Sequence, residues 1–292
     1  MSTTSVPPAS SAHKKITIPA FRQKKADGIP IVMLTGYDYP TALALDQAGV
    51  DAILVGDSLG MVVLGYENTL PVTMDDILRA CQAVKRGATS ALLIGDLPFL
   101  SYQVSVEEAV RNAGRLLQQG GVEAVKLEGG RERVECVRAI TAAGIPVMGH
   151  LGLTPQSVSL LGGFRPQGRN AVDARRLLED ALLLEQAGCF SLVLESVPAR
   201  LATLISQRLS IPTIGIGAGA GCDGQVLVAH DLLGLFERFT PRFVKQYAHL
   251  HAEMLRAFGE YRLDVQTRAF PAEEHTVDMP DEEWTAFLKA LE

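Results

Sequence analysis

Short, wholly apolar runs that alternate with longer stretches of helical periodicity predict an α/β fold, a (β/α)8 TIM barrel. The runs are apolar at every position rather than at every second one, as parallel strands covered on both faces must be. Each is followed by a segment whose apolar residues recur at three- and four-residue spacing, the crossover that a parallel sheet requires. Roughly 250 residues of this repeat fit one closed barrel. An open doubly wound sheet would satisfy the alternation too, but no Gly-x-Gly-x-x-Gly follows the first run, so the barrel is the better fit.

The predicted strands are Ile31–Thr35, Ala52–Val55, Ala91–Gly95, Ala124–Glu128, Pro146–Gly149, Ser191–Glu195 and Thr213–Gly217, with Arg242–Gln246 as a weaker eighth. Between them, Thr73 precedes Met74-Asp75-Asp76 as an N-cap with acids in the first turn, and Ile77, Leu78, Cys81 and Val84 form one apolar stripe. Ser105 opens the next helix in the same way, and Asp173–Ala187 is a further helix closed by Gly188. Helix ends are expected at Gly87, Gly120, Gly144 and Gly188, where a left-handed terminus favours glycine. Three regions follow: residues 1–25 as a disordered or N-terminal arm, 26–275 as the barrel, and 276–292 as an acidic tail with a short helix at Asp281–Leu291.

The chain has 292 residues, 47% hydrophobic and 21% charged, with a net charge of −6. That composition excludes a disordered chain. The longest basic runs are the pairs Lys14–Lys15 and Lys24–Lys25, which argues against a nucleic-acid or anionic-membrane partner. No apolar run approaches the roughly 18 residues of a membrane span, and the Ser-rich first fifteen residues lack the apolar core of a secretory signal. Cys81, Cys136, Cys189 and Cys222 are scattered, with no CxxC spacing, so reduced thiols and a cytoplasmic location are expected.

Barrel enzymes build their sites past the carboxyl ends of the strands. Four acids stand there on four different strands: Asp57, Asp96, Glu128 and Glu195. Any one of them could merely cap the next helix, but four together repel one another and are costly to bury. A divalent cation removes that cost, and oxygen donors select Mg²⁺ or a similar hard ion. Lys126 lies two residues before Glu128 and so shares its face; it could bind a substrate oxygen, pair with one of the acids, or do both. His150 ends the fifth strand, either as a satisfied core histidine or as a hydrogen-bond partner of substrate or a carboxylate. The glycine-rich stretch Ile214–Gly224 has no P-loop Lys-Ser/Thr after it and reads better as a tight turn than as a phosphate cradle.

Several longer runs carry a resemblance. Thr35-Gly-Tyr-Asp-Tyr39, Val55-Gly-Asp-Ser-Leu-Gly-Met61, Thr69-Leu-Pro-Val-Thr73, Gly95-Asp-Leu-Pro-Phe99, Val125-Lys-Leu-Glu-Gly-Gly130, Gly149-His-Leu-Gly-Leu-Thr-Pro-Gln-Ser157, Leu194-Glu-Ser-Val-Pro198, Ile214-Gly-Ile-Gly-Ala-Gly219 and Phe270-Pro-Ala-Glu-Glu-His275 occur in chain order. The sequence resembles the ketopantoate hydroxymethyltransferases. That resemblance implies a barrel of the phosphoenolpyruvate mutase/isocitrate lyase-like type, assembled as a homodecamer. It implies transfer of a hydroxymethyl group from 5,10-methylenetetrahydrofolate to 3-methyl-2-oxobutanoate in pantothenate biosynthesis, with one Mg²⁺ per subunit. Asp57 and Asp96 become metal ligands, directly or through water, with Glu128 in the same shell. Asp57, Ser58, Asp96 and Lys126 become contacts to the keto acid, Glu195 the base that moves the proton, and His150 a residue behind them. Gly36 and Ala220-Gly221-Cys222 depart from the family's usual residues. A mutase- or lyase-like enzyme, with a cysteine in a mobile loop, is the rival reading of the same acids.

Overall fold

Side-chain parity along the strands decides which residues fill the barrel and which meet the helices. The computed structural model describes residues 14–292, so the expectation of disorder over the first residues falls largely outside it. Eight parallel strands close into a barrel in sequence order, β8 pairing with β1. They are β1 (Ile31–Thr35), β2 (Ala52–Val55), β3 (Leu92–Asp96), β4 (Ala124–Glu128), β5 (Val147–Gly152), β6 (Ser191–Glu195), β7 (Thr213–Ile216) and β8 (Gly224–Leu227).

The helices are α1 (Ile18–Ala26), α2 (Tyr39–Gln47), α3 (Leu59–Val62), α4 (Met74–Gly87), α5 (Val106–Arg115), α6 (Val134–Ala142), α7 (Val158–Leu161), α8 (Ala171–Gln186), α9 (Ala199–Arg208), α10 (Ala229–Leu232), α11 (Leu250–Thr267) and α12 (Asp281–Ala290). Thr73 caps α4 in a full capping box with Asp76, and Ser105 caps α5 through the Glu108 N–H. The stripe Ile77, Leu78, Cys81 and Val84 is buried against the strands.

Seven strands lie where the sequence predicts them, within a few residues. The eighth does not. Residues 242–246 form a turn and loop, and the last strand is Gly224–Leu227. That strand is four residues long, starts on a glycine and exposes Gln225, so its apolar signal is short and broken. Gly224 belongs in it because a Cβ there would stand 2.5 Å from the Ile31 carbonyl oxygen on β1. One glycine expectation also changes. Gly144 and Gly188 are left-handed as expected, and Gly121 takes that role in place of Gly120. Gly87 is not left-handed; a Cβ on it would lie 2.5 Å from the Tyr39 carbonyl oxygen, so it serves the close approach of α2 and α4.

Inside the barrel one layer set comprises Ile31, Met33, Ala52, Leu54, Leu92, Ile94, Ala124, Met148, Val193, Ile214 and Val226. The alternate residues Ile53, Leu93, Val125, Val147, Leu192 and Leu194 face the helices. Below the layers, α1 closes the amino-terminal end. Its Phe21 is fully buried and meets Phe190 edge-on at 5.9 Å between ring centres. Lys24 and Lys25 tie the helix to Asp51 (2.6 Å) and Asp223 (2.8 Å). The segment read as an arm is therefore, over residues 18–25, part of the core.

At the other end of the chain, α11 and α12 bury none of their residues. Leu255, Phe258 and Tyr261 are largely exposed on α11, and Trp284 and Phe287 on α12. Among the described residues no helix is long and apolar enough to cross a membrane.

Phe21→Ala should lower the unfolding free energy by about 3–5 kcal/mol, the usual cost of removing a buried aromatic ring, measured by chemical denaturation. A loss below about 1 kcal/mol would mean that α1 is not part of the core.

Candidate active site

The same parity that fills the barrel carries charged side chains onto its upper face. Asp96 continues the inward series of Leu92 and Ile94, Lys126 and Glu128 that of Ala124, His150 that of Met148, and Glu195 that of Val193. Asp57 and Ser58 follow in the turn after β2. All seven line one cavity of about 410 Å³ at the carboxyl ends of the strands. Every site residue expected from the sequence is thus brought to one place.

Asp96 Oδ2 accepts from the Asp57 backbone N–H at 3.1 Å. Its other oxygen is 2.9 Å from Lys126 Nζ, close but poorly directed, since that buried Oδ1 accepts no hydrogen bond of good angle. Lys126 Nζ is also 3.9 Å from Glu128 Oε1 and 3.3 Å from His150 Nδ1. His150 stands between two acids, Nδ1 at 3.4 Å from Glu128 Oε1 and Nε2 at 3.2 Å from Glu195 Oε2. Ser58 Oγ shares a hydrogen bond of 2.8 Å with the Tyr37 hydroxyl. Glu195 is the most open of these acids, its side chain 16% exposed against 1% for Asp96 and 2% for Glu128.

Burial and mutual repulsion dominate the electrostatics. Burial, then the charges of Asp96 and Glu128, hold the Asp57 carboxyl well above its ordinary pKa. Burial also raises Asp96, against the pull of Lys126. Glu128 goes the other way: burial opposes its ionisation, but His150, Lys126 and the Gln156 N–H outweigh it and lower its pKa. Burial opposes charge on Lys126 too, yet Asp96, Glu128 and Asp57 raise its pKa, so it is an ammonium. For His150, burial and Lys126 oppose protonation, but Glu128 and Glu195 push its pKa up to about 9.

Four carboxylates therefore face two cations. The Oε1 of Glu128 is buried with no hydrogen bond from any described residue. Among the described residues no group of three or more His, Cys, Asp or Glu side chains is arranged to hold an ion alone. Magnesium does not need one, because it takes one or two carboxylates and completes its shell with water and substrate oxygens. A hard oxygen set of Asp57 and Asp96, with the open oxygen of Glu128 nearby, fits such an ion.

Two residues of this machinery escape a reading of the sequence. Gln156, buried beyond β5, donates from Nε2 to Asp57 Oδ2 (2.9 Å) and to the Leu97 carbonyl (2.9 Å). Its backbone N–H donates to Glu128 Oε2 at 3.0 Å, and the buried Tyr102 hydroxyl donates to its Oε1 at 2.7 Å. One residue thus fixes two of the acids, Asp57 through its side chain and Glu128 through its backbone N–H. Its place just past a strand end, within the run Gly149–Ser157, was the signal that could have marked it. Within the stretch 214–224, residues 217–223 between β7 and β8 form a turn packed on protein: a Cβ at Gly217 would meet the Phe243 ring at 2.7 Å, and one at Gly219 would meet Ala199 Cβ at 2.5 Å. The four cysteines are free thiols, and none lines the cavity.

Residues 15–273 match the family model described as ketopantoate hydroxymethyltransferase. The chain belongs to that family of transferases. It is 59% identical over 266 residues to the 3-methyl-2-oxobutanoate hydroxymethyltransferase of Syntrophus aciditrophicus (strain SB), covering 91% of this chain and 98% of the relative. It is 58% identical over 264 residues to the enzyme of the same name from Moorella thermoacetica (strain ATCC 39073 / JCM 9320), covering 90% and 98%. Among solved structures, a phosphonopyruvate hydrolase complex with oxalate and Mg²⁺ superposes with a TM-score of 0.59 at 12% identity, over 94% of this chain and 97% of that one. A 2,3-dimethylmalate lyase of the phosphoenolpyruvate mutase/isocitrate lyase superfamily gives 0.57 at 15%, over 94% and 98%. At such identities these two structures speak for the fold alone, the closed barrel expected from the sequence. Within this family member, Gln156→Leu should take the side-chain donor from Asp57 and from the Leu97 carbonyl while keeping the backbone N–H bond to Glu128. Its stability should fall by about 1–3 kcal/mol, the cost of leaving buried acceptors unpaired, and hydroxymethyl transfer should fall with it. Melting and steady-state assays check both, and a variant with wild-type turnover would remove Gln156 from the support of the site.

Proposed function

We propose that this chain is a 3-methyl-2-oxobutanoate hydroxymethyltransferase of pantothenate biosynthesis. With 5,10-methylenetetrahydrofolate as donor and one water consumed, it converts 3-methyl-2-oxobutanoate to ketopantoate and releases tetrahydrofolate. The observation that carries the reading is one cavity in which a cluster of buried hard-oxygen donors and an ammonium faces a separate, more open carboxylate. Identities of 58–59% to enzymes so named support it.

Asp57 and Asp96 would hold one Mg²⁺ per subunit, with Glu128 in the same shell. Bound there, Mg²⁺ supplies Lewis-acid polarisation of a chelated keto acid. Lys126, an ammonium among these acids, gives positive charge beside the keto oxygen where negative charge develops as C3 loses its proton. Ser58, oriented by Tyr37, offers a hydroxyl to the substrate from the β2 side. Glu195 takes the C3 proton. It can do so because it stands at β6, away from Asp57 and Asp96, and keeps an open edge to the cavity. His150, charged between Glu128 (3.4 Å) and Glu195 (3.2 Å), attracts both acids to their places around the substrate. The mutase- and lyase-like alternative wants a cysteine at the cavity, and no described residue supplies one.

The enzyme works in the cytoplasm as a homo-oligomer, a homodecamer by family resemblance. Free thiols fit that compartment. The exposed aromatic and aliphatic residues of α11 and α12 fit an assembly that covers them.

Glu195→Gln should retain Mg²⁺ and keto-acid binding but lose exchange of the C3 proton with deuterated water, followed by proton NMR; exchange at the wild-type rate would move the base elsewhere. Chelation should abolish ketopantoate formation, and added Mg²⁺ should restore it. Asp96→Ala should then require far more Mg²⁺ for half-maximal rate. Turnover that survives exhaustive chelation would remove the metal from the scheme.

A further inference from the structure

The groups assigned to the keto acid occupy one arc of the barrel mouth, the ends of β2 to β6. The remaining arc, over β7, β8 and β1, is apolar where it meets the cavity. Ile216, Val226 and Val228 line it, and Phe236, Phe239 and Phe243 rise above them from the chain that follows α10. Thr35 lies on this arc, but its hydroxyl is taken by the Ala229 N–H at 3.0 Å. Phe239 is 66% exposed and Phe243 39%, so two rings at the mouth have free surface to give. Phe243 is held in place by the close approach of its ring to Gly217.

Two charged groups interrupt this wall: Arg242, beside Phe243, and Asp231. Asp231, on α10, lines the cavity and is only 8% exposed. Its carboxylate accepts no hydrogen bond from any described residue and forms no ion pair among them, and its oxygens are open to the cavity. Burial pushes its pKa up to about 6. A buried carboxylate without a partner is costly, and a ligand that donates to it recovers that cost.

The geometry points to Asp231 as the anchor of the donor's pteridine ring, accepting from its 2-amino group and the adjacent ring N–H while the phenylalanines cover its faces. This rests on the reading that the one-carbon donor is a reduced folate. Two coplanar N–H donors on one edge match the two oxygens of a carboxylate, and a flat heteroaromatic ring suits phenylalanine walls. A ring bound there approaches the keto acid from the arc that the keto-acid groups leave free.

The test is titration of the Mg²⁺-loaded protein, by calorimetry, with tetrahydrofolate and with its analogue bearing hydrogen in place of the 2-amino group. Asp231→Asn should weaken tetrahydrofolate roughly ten- to hundredfold, the range for hydrogen bonds to a charged group. The analogue should bind wild type and variant alike. The KM for methylenetetrahydrofolate should rise in the variant while that for the keto acid does not. Equal tetrahydrofolate affinity in the two proteins overturns the assignment. So does an analogue that binds wild type as tightly as its parent, a comparison that needs no variant and stands even if Asp231→Asn does not fold. If wild type binds no tetrahydrofolate and forms no ketopantoate, the folate reading itself fails and the assignment with it. If wild type turns over normally but shows no preference for the 2-amino group, only the role of Asp231 fails.

Discussion

The upper face of the barrel carries more buried negative charge than its own residues neutralise, and the rest of the structure is arranged around that imbalance. Among Asp57, Asp96, Glu128 and Glu195 the cations in contact are Lys126 and His150. In a low-dielectric site such a deficit opposes folding rather than favouring it. The stability must come from elsewhere: the apolar layers below, the helix-facing core around them and the α1 plug beneath. The acids are held apart from collapse by fixed neighbours. Gln156 grips Asp57 and the Glu128 backbone-facing oxygen, while the Asp57 N–H grips Asp96. Each acid therefore keeps one oxygen fixed by the protein and one for something else.

Strand parity turns this chemistry into a consequence of the fold. A residue two places beyond an inward apolar residue is itself inward. The sequences Ala124-Val-Lys-Leu-Glu128 and Leu92-Leu-Ile-Gly-Asp96 thus place a lysine and two acids at the mouth with no special backbone geometry. The same barrel type carries other reactions in proteins only 12–15% identical, so the scaffold does not choose the reaction. What chooses it is which side chains the strands end on, and how the mouth is divided. Here a polar arc over β2–β6 meets an apolar arc over β7, β8 and β1 that contains the single acid Asp231.

Much was readable before any coordinates. Seven strands, the caps at Thr73 and Ser105, and the convergence of Asp57, Asp96, Lys126, Glu128, His150 and Glu195 follow from local pattern and from the rule that barrel sites gather at strand ends. The longer motifs around those residues carried the family. The eighth strand was not readable, because a four-residue strand beginning on glycine has no apolar run to recognise; only pairing to both β7 and β1 makes it a strand.

The sequence by itself determined the alternation that requires a parallel barrel and the charge of each strand end, because both are properties of neighbouring residues. Tertiary structure alone decided what distant segments do to one another. It turned the start of the chain into a plug at Phe21. It made Gln156 the strut between Glu128, 28 residues away, and Asp57, 99 residues away. It also left Asp231 facing a cavity without a partner. Such contacts join residues far apart in the chain, and no local periodicity or spacing encodes a distance that exists only once the barrel has closed.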